Sequence, residues 1–360
     1  MRPRTTDTTG TANVTATSGT AATTDTAARS GPVAGDPTMG GDSPSGGTPA
    51  AGVTPSAGGV LLAVGGPAAG GVLAAGGGGA SDPGSAGGEA LGRRGLITEI
   101  WLLLGVSLGM SGLFALIRYI GAVTSGPVRG QVALLNRSAA PGRPWLDLAL
   151  QLAGLLADVI PAFLAIHLLS RHWGPGAFGR AQEAACRVCS GPRRGRVVIG
   201  LDRRRLGVDV ALGAAIAACV GGTGLGLYLL AWHSGANLTV APSGLPAVWW
   251  RIPVLLLSAL QNAVTEEVIV AGYLLVRLRE LGWGNRRALA MSALLRGSYH
   301  LYQGLGGFFG NLAMGVLFGW LFQRRGRVLP LIVAHTLIDS VAFVGYVALA
   351  GSVSWLPTPG

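Results

Sequence analysis

The sequence predicts an all-α, polytopic transmembrane helix bundle of about seven spans behind a disordered N-terminal tail, and three observations predict it. Of its 360 residues 49% are hydrophobic and only 12% charged, with a mean hydropathy of +0.49. That is not the balance of an ordinary soluble domain. Apolar stretches recur too closely to leave room for soluble domains between them. The arginines, finally, alternate between connecting loops as membrane topology requires.

Taken in order, residues 1–92 are Thr, Ala, Gly, Ser and Pro with scattered charge. Apolar patches such as Val60 to Val64 are too short and too glycine-broken to span a bilayer or pack a core, so this is the disordered tail. Its start lacks the n-region, h-region and cleavage pattern of a signal peptide. A first span is expected at about 96–121, a second at 145–170, a third at 207–232 and a fourth at 248–276. A fifth at 287–303 and a sixth at 306–323 fall short of the roughly 20 residues that cross the hydrocarbon, and so form a tilted or interrupted pair joined by Tyr302-Gln303-Gly304. A seventh covers 328–350. The chain thus divides into the tail (1–92), the first two spans with an arginine-rich linker (93–205), the bundle that holds the polar residues (206–350) and a short C-terminal tail (351–360).

All 27 basic residues are arginine. Nine of them lie between Arg171 and Arg205, four in 277–287 and three in 324–327, whereas 122–144 has three and 233–246 none. By the positive-inside rule the N-terminus is cytoplasmic and the C-terminus outside, in a bacterial plasma membrane. Topology accounts for the net charge of +11, so no nucleic-acid partner is expected; the lipid bilayer is the expected surrounding. Cys186 and Cys189 form a lone C-x-x-C without a second ligand pair, and Cys219 stands alone, a weak signal for metal. Close helix packing is expected at Gly222-x-x-x-Gly226, Gly306-x-x-x-Gly310 and Gly315-x-x-x-Gly319. Asn237-Leu-Thr239 matches a glycosylation acceptor, but nothing else in the chain suggests that route.

The chemistry concentrates in the second half. Glu266 and Glu267 lie inside the apolar run of the fourth span, where a charge costs several kcal/mol and is retained only where it is used or compensated. On a helix the two point about 100° apart, so one can face a water while the other makes structural contacts. Neutral histidines at His300 and His335 can bind a water, a metal or an oxyanion. Asp339, four residues after His335, shares its face and can orient it. Asp158, three residues before Pro161, either lines the same cavity or bonds backbone freed by the proline. At ~1.5 Å per residue Glu266 lies about 15 Å from the cytoplasmic end and His335 about 10 Å; His300 reaches about 20 Å unless its helix tilts.

These residues carry a resemblance. Glu-Glu-x-x-x-Arg, Phe-x-x-x-His and His-x-x-x-Asn/Asp on successive helices is the pattern of the CPBP intramembrane metalloproteases, that is, the CAAX prenyl proteases and bacteriocin-processing enzymes also called the Abi family. The chain resembles them from Leu206 to Ala348, with Glu266-Glu267, His300 and His335-x-x-x-Asp339 in order. The resemblance implies an intramembrane endopeptidase acting on a membrane-associated peptide or protein. In it Glu266 with His300 activates water, and His335 with Asp339 stabilises the oxyanion. It leaves metal dependence open, with zinc the candidate ion and Glu266, His300 and His335 its candidate ligands. Two positions depart from the pattern: Ala271 stands for the motif arginine and Arg296 for the motif phenylalanine. Read together they are one change, an arginine moved to the neighbouring helix one turn before His300, where it holds a glutamate of the pair. Against the protease stand a non-proteolytic scaffold or immunity-type relative that binds a membrane peptide, and a proton-coupled transporter, for which no inverted repeat of broken helices is visible.

Overall fold

The computed structural model describes residues 92–171, 196 and 198–358. The tail up to residue 91, most of the arginine-rich linker and Cys186-x-x-Cys189 lie outside the described residues.

The first predicted span is two helices, α1 (Arg93–Gly105) and α2 (Leu108–Ser125). The break has a local cause. The Ser107 hydroxyl donates to the Leu103 carbonyl at 2.6 Å, and Gly109 packs so tightly under the turn that a Cβ there would lie 2.7 Å from the Leu104 oxygen. After α2 come β1 (Val132–Leu134), α3 (Pro144–Arg171), α4 (Leu206–His233) and β2 (Thr239–Ala241). The helix α5 (Arg251–Glu280) is α-helical at both ends and π-helical over Glu267–Leu274. Then follow α6 (Asn285–Ser298), a 3₁₀ turn at Leu301–Gln303, α7 (Leu305–Arg325) and α8 (Leu329–Leu349).

Among the described residues six helices are long and apolar enough to cross a membrane: α2, α3, α4, α5, α7 and α8. This is a multi-pass membrane protein. The fifth expected span, 287–303, is instead the 14-residue α6, which stops at Ser298. It still reverses the chain through the turn at Leu301–Gln303, as the interrupted pair requires. The outward faces of α2, α3 and α4 carry exposed Leu, Ile, Val and Phe, for which lipid is the solvent. α5 lies at the centre, with 67% of its apolar window buried against 6–28% in the other five. It packs against α3 and α8, and its π-helical part also touches α6 and α7.

Glycine decides the tightest approaches. On α7, Gly315 and Gly319 face α6: a Cβ at Gly315 would meet the Ala293 Cα at 2.9 Å, and one at Gly319 the Leu289 Cδ1 at 2.6 Å. Gly213 brings α4 against Val333 and Pro330 in the same way. Gly306 meets Ala231 and Asn237, but Gly310, Gly222 and Gly226 have open space around them, so of the three small-residue motifs only Gly315/Gly319 packs at both positions.

Buried ions pin the end of the bundle that carries the α5–α6 and α7–α8 connections. Arg277 donates from Nε to Glu99 at 2.8 Å and from Nη1 to Glu280 at 2.7 Å, while the Tyr273 hydroxyl donates to Glu99 at 2.8 Å. Arg327 grips Asp209, with Nη2 2.6 Å from Oδ2, and also reaches Asp202 at 3.2 Å. Burial alone would raise the Asp202 carboxyl, but hydrogen bonds from the Arg204 amide and the Arg327 guanidinium outweigh it and hold it below its ordinary value.

The opposite end carries a cap absent from the sequence expectation. β1 and β2 pair in parallel, Val132 with Thr239 and Leu134 with Ala241. Asp147 anchors the first loop, taking the Ser138 hydroxyl at 2.7 Å and the Ala139 amide at 2.8 Å. Asn237, only 1% exposed and so no glycan acceptor, takes the Gly307 amide at 3.0 Å. Leu238 donates to the Gln303 carbonyl at 3.0 Å and Leu305 to Ala236 at 3.0 Å. Gly304, at φ +109°, is the residue that allows this approach, since a Cβ would stand 2.8 Å from the Asn237 Cα. The cap therefore holds the turn that presents His300.

Candidate active site

Glu266 closes the α-helical first part of α5, and Glu267 opens the π-helical part. Such widened turns inside α-helices gather at functional positions. Glu267 is fully buried and Glu266 8% exposed. Removing two carboxylates from water demands donors close by, and α6 supplies them. The Arg296 Nη1 donates to Glu267 Oε1 at 2.7 Å, and its Nη2 lies 3.3 Å from Glu266 Oε2. The adjacent carboxylates, pointing in different directions, are thus served by different nitrogens of one planar fork. The fork itself is seated on α7, its Cζ 5.2 Å from the Phe318 ring centroid, in space that Gly315 leaves free. Position 271 lies in the apolar core cluster, where a guanidinium would be surrounded by hydrocarbon.

The Tyr299 hydroxyl, which sequence reading gave no role, donates to Glu266 Oε2 at 2.8 Å. The only signal for it was its place beside His300. The His335 Nδ1 lies 2.9 Å from Glu267 Oε1 and 3.1 Å from Arg296 Nη2. A single nitrogen cannot donate to the first and accept from the second at once, so the proton on His335 decides which contact is made. Its Nε2 lies 3.5 Å from Asp339 Oδ2. Asn262, one turn before Glu266 and also missed, lies beside Asp339. His300 Nδ1 lies 3.0 Å from the Arg296 carbonyl. A carbonyl only accepts, so Nδ1 carries the proton and the neutral ring is left with a bare Nε2. His300 is within electrostatic range of Glu266.

The structure therefore brings Glu266, Glu267, Arg296, His335 and Asp339 into one chain of contacts with Tyr299, with His300 beside it. Asp158 joins only through its main chain, its carbonyl accepting the Thr265 hydroxyl at 3.0 Å; its carboxylate is outside the network.

Glu267 Oε2 and Arg296 Nε have no partner. The network is therefore not saturated by its own side chains. Whether it suits zinc is a question of donors. Among the described residues no three of His, Cys, Asp and Glu are gathered as a metal ion needs. The Arg296 fork already supplies the positive charge between the carboxylates. The residues present do not fit the ion.

Residues 248–341 match the family model described as type II CAAX prenyl endopeptidase Rce1-like, an interval that holds every residue of the network. No curated protein and no solved structure matches the chain.

Proposed function

We propose that this chain, whose residues 248–341 carry the Rce1-like CAAX endopeptidase match, is an intramembrane endopeptidase that hydrolyses a peptide bond of a membrane-associated peptide or protein. One observation carries the reading: two glutamates and His335, polar groups costly at membrane depth, meet around a single guanidinium in contacts of 2.7–3.3 Å, with His300 beside them on the Arg296 carbonyl.

In this reading Glu266, the more accessible carboxylate, is the general base. A water between it and the bare Nε2 of His300 gives its proton to Glu266 while its oxygen bonds to the scissile carbonyl carbon. The carbonyl π electrons move to oxygen. Doubly protonated His335 donates Nδ1–H to Glu267 and turns Nε2–H to that oxyanion; the 3.5 Å separation from Asp339 is long enough for the oxyanion to compete. When the C–N bond breaks, Glu266 returns the proton to the leaving nitrogen, giving a carboxylic acid and an amine. Glu267 and Arg296 position the others, and no step uses a metal. The N-terminus is cytoplasmic in a bacterial plasma membrane, a placement supported by the alternation of arginine-rich and arginine-poor loops.

Comparing the membrane proteome of cells making the wild-type chain with that of cells making Glu266→Gln tests the reading. Cleaved fragments should be present in the first and missing in the second. Identical fragment sets at equal protein levels would overturn it.

The occupation of both carboxylates by Arg296 and Tyr299 favours a second reading, a non-proteolytic relative that binds a membrane peptide and keeps the network for stability. There, Glu266→Gln leaves biological activity intact.

A further inference from the structure

At the capped end a cavity of about 270 Å³ opens between α2 and β1. The main chain and side chains of Gln131 to Leu135 form one wall, the last turns of α2 the other, and Arg118, Arg137 and Tyr302 line it. No acidic residue is among its lining. Gln131 closes one end, its amide donating to the Ala122 carbonyl at 2.7 Å. At the other side Tyr302 stands two residues beyond His300, within electrostatic range of both Glu266 and Asp339.

The wall is the edge of a sheet. Gln131 O and Leu135 N point to β2, binding Thr239 N and Ala241 O, each at 2.9 Å. Backbone groups alternate along a strand, so the N–H and C=O of Val132 and Leu134 turn the other way, toward the cavity side. An edge of this kind pairs with an extended chain.

We propose that β1 and this cavity receive an extended peptide segment bearing a carboxylate, its main chain added to the edge of β1 and its negative charge held by Arg118 and Arg137. Charge complementarity selects the carboxylate. Main-chain donors and acceptors on the same wall select a peptide over a lipid headgroup. Arg118 also lies seven residues before the end of α2 at Ser125, about 10 Å in from the helix end, deeper than a lipid phosphate at that level. The inference rests on the proteolytic reading for calling the peptide a substrate; binding itself is measurable without cleavage.

The test uses the full chain carrying Glu266→Gln in phosphatidylcholine nanodiscs, with a dye-labelled, C-terminally amidated hexapeptide containing one Asp among Val and Leu, and its Asn counterpart. Fluorescence anisotropy should show the Asp peptide binding at least tenfold tighter. Arg118→Gln combined with Arg137→Gln should remove most of that preference. Val132→Pro, which deletes an edge N–H without touching the β1–β2 ladder, should weaken both peptides alike. Equal binding of the two peptides, or a preference that survives the glutamine pair, overturns the proposal. So does a preference abolished by phosphatidylglycerol nanodiscs but not by inorganic phosphate, which would make the cavity a lipid site. Where the glutamine pair does not fold, the lysine pair must keep the Asp preference, and losing it counts against the proposal. Peptide binding with an unchanged membrane proteome would remove the protease and leave the peptide site.

Discussion

Arg296 on α6 and Glu267 on α5 are joined at 2.7 Å by side chains that are 1% and 0% exposed, the shorter of the two ion pairs that this guanidinium makes across the α5–α6 interface. Breaking such a pair from one side strands a buried charge, which costs about 3–5 kcal/mol. Arg296→Ala should therefore lower the unfolding free energy in detergent by about that amount. Arg296→Ala with Glu267→Gln should lose less than the two single changes summed, because the second change removes the stranded charge. A strictly additive double-mutant cycle would show that the pair is not coupled.

The two glutamates should separate function from fold. On the proteolytic reading Glu266→Gln lowers cleavage on the order of 10²–10⁴-fold while leaving the melting temperature near that of wild type. Glu267→Gln, at the fully buried position, should lower the melting temperature as well. Thermal melts alongside fragment counts from the same membranes make the comparison.

Two glycines of the same helix, α7, should behave oppositely. Gly315→Ala forces a methyl to within 2.9 Å of the Ala293 Cα and should cost about 1–3 kcal/mol. Gly310→Ala meets open space and should be neutral or stabilising by up to about 1 kcal/mol through helix propensity. Chemical denaturation of the two variants in the same detergent checks this.

Acid should loosen the connection between α7 and α8. Asp202, held below its ordinary value by Arg204 and Arg327, contributes stability that is fully present above the unfolded carboxyl pKa of about 3.9 and is lost as pH falls through its lower folded value. Melting temperatures from pH 2 to 6 should fall at the acid end for the wild type. The Asp202→Asn difference should shrink in the same range.

The acid pair, Arg296 and the His335–Asp339 pair were legible because a charge in an apolar run is conspicuous, and because the two departures at Ala271 and Arg296 read as one arginine in a new place. Tyr299 and Asn262 were not, since each is an unremarkable residue whose value lies in what faces it. The split of the first span was hidden because Leu102 to Leu116 carries no charge and reads as one apolar run, and the break comes from the Ser107 hydroxyl and the crowding at Gly109. The cap was invisible for another reason: three-residue strands joined across more than a hundred residues leave no periodic trace. The 287–303 segment was legible as an interrupted one, because its polar start and short apolar part set it apart from the full spans, and its helix stops at Ser298.

The wide stretch of α5 from Glu267 to Leu274 has a consequence for the phase of the whole rod. It runs from one charge cluster, Glu266–Glu267–Arg296, to another, Tyr273–Arg277–Glu99. Deleting Leu275 or Val276, in the regular turn that follows it, would swing everything beyond by about 100°. Arg277 would then leave Glu99 while Glu266 stayed with Arg296. The spacing between the two clusters is thus tolerant of side-chain exchange and intolerant of a change in residue count.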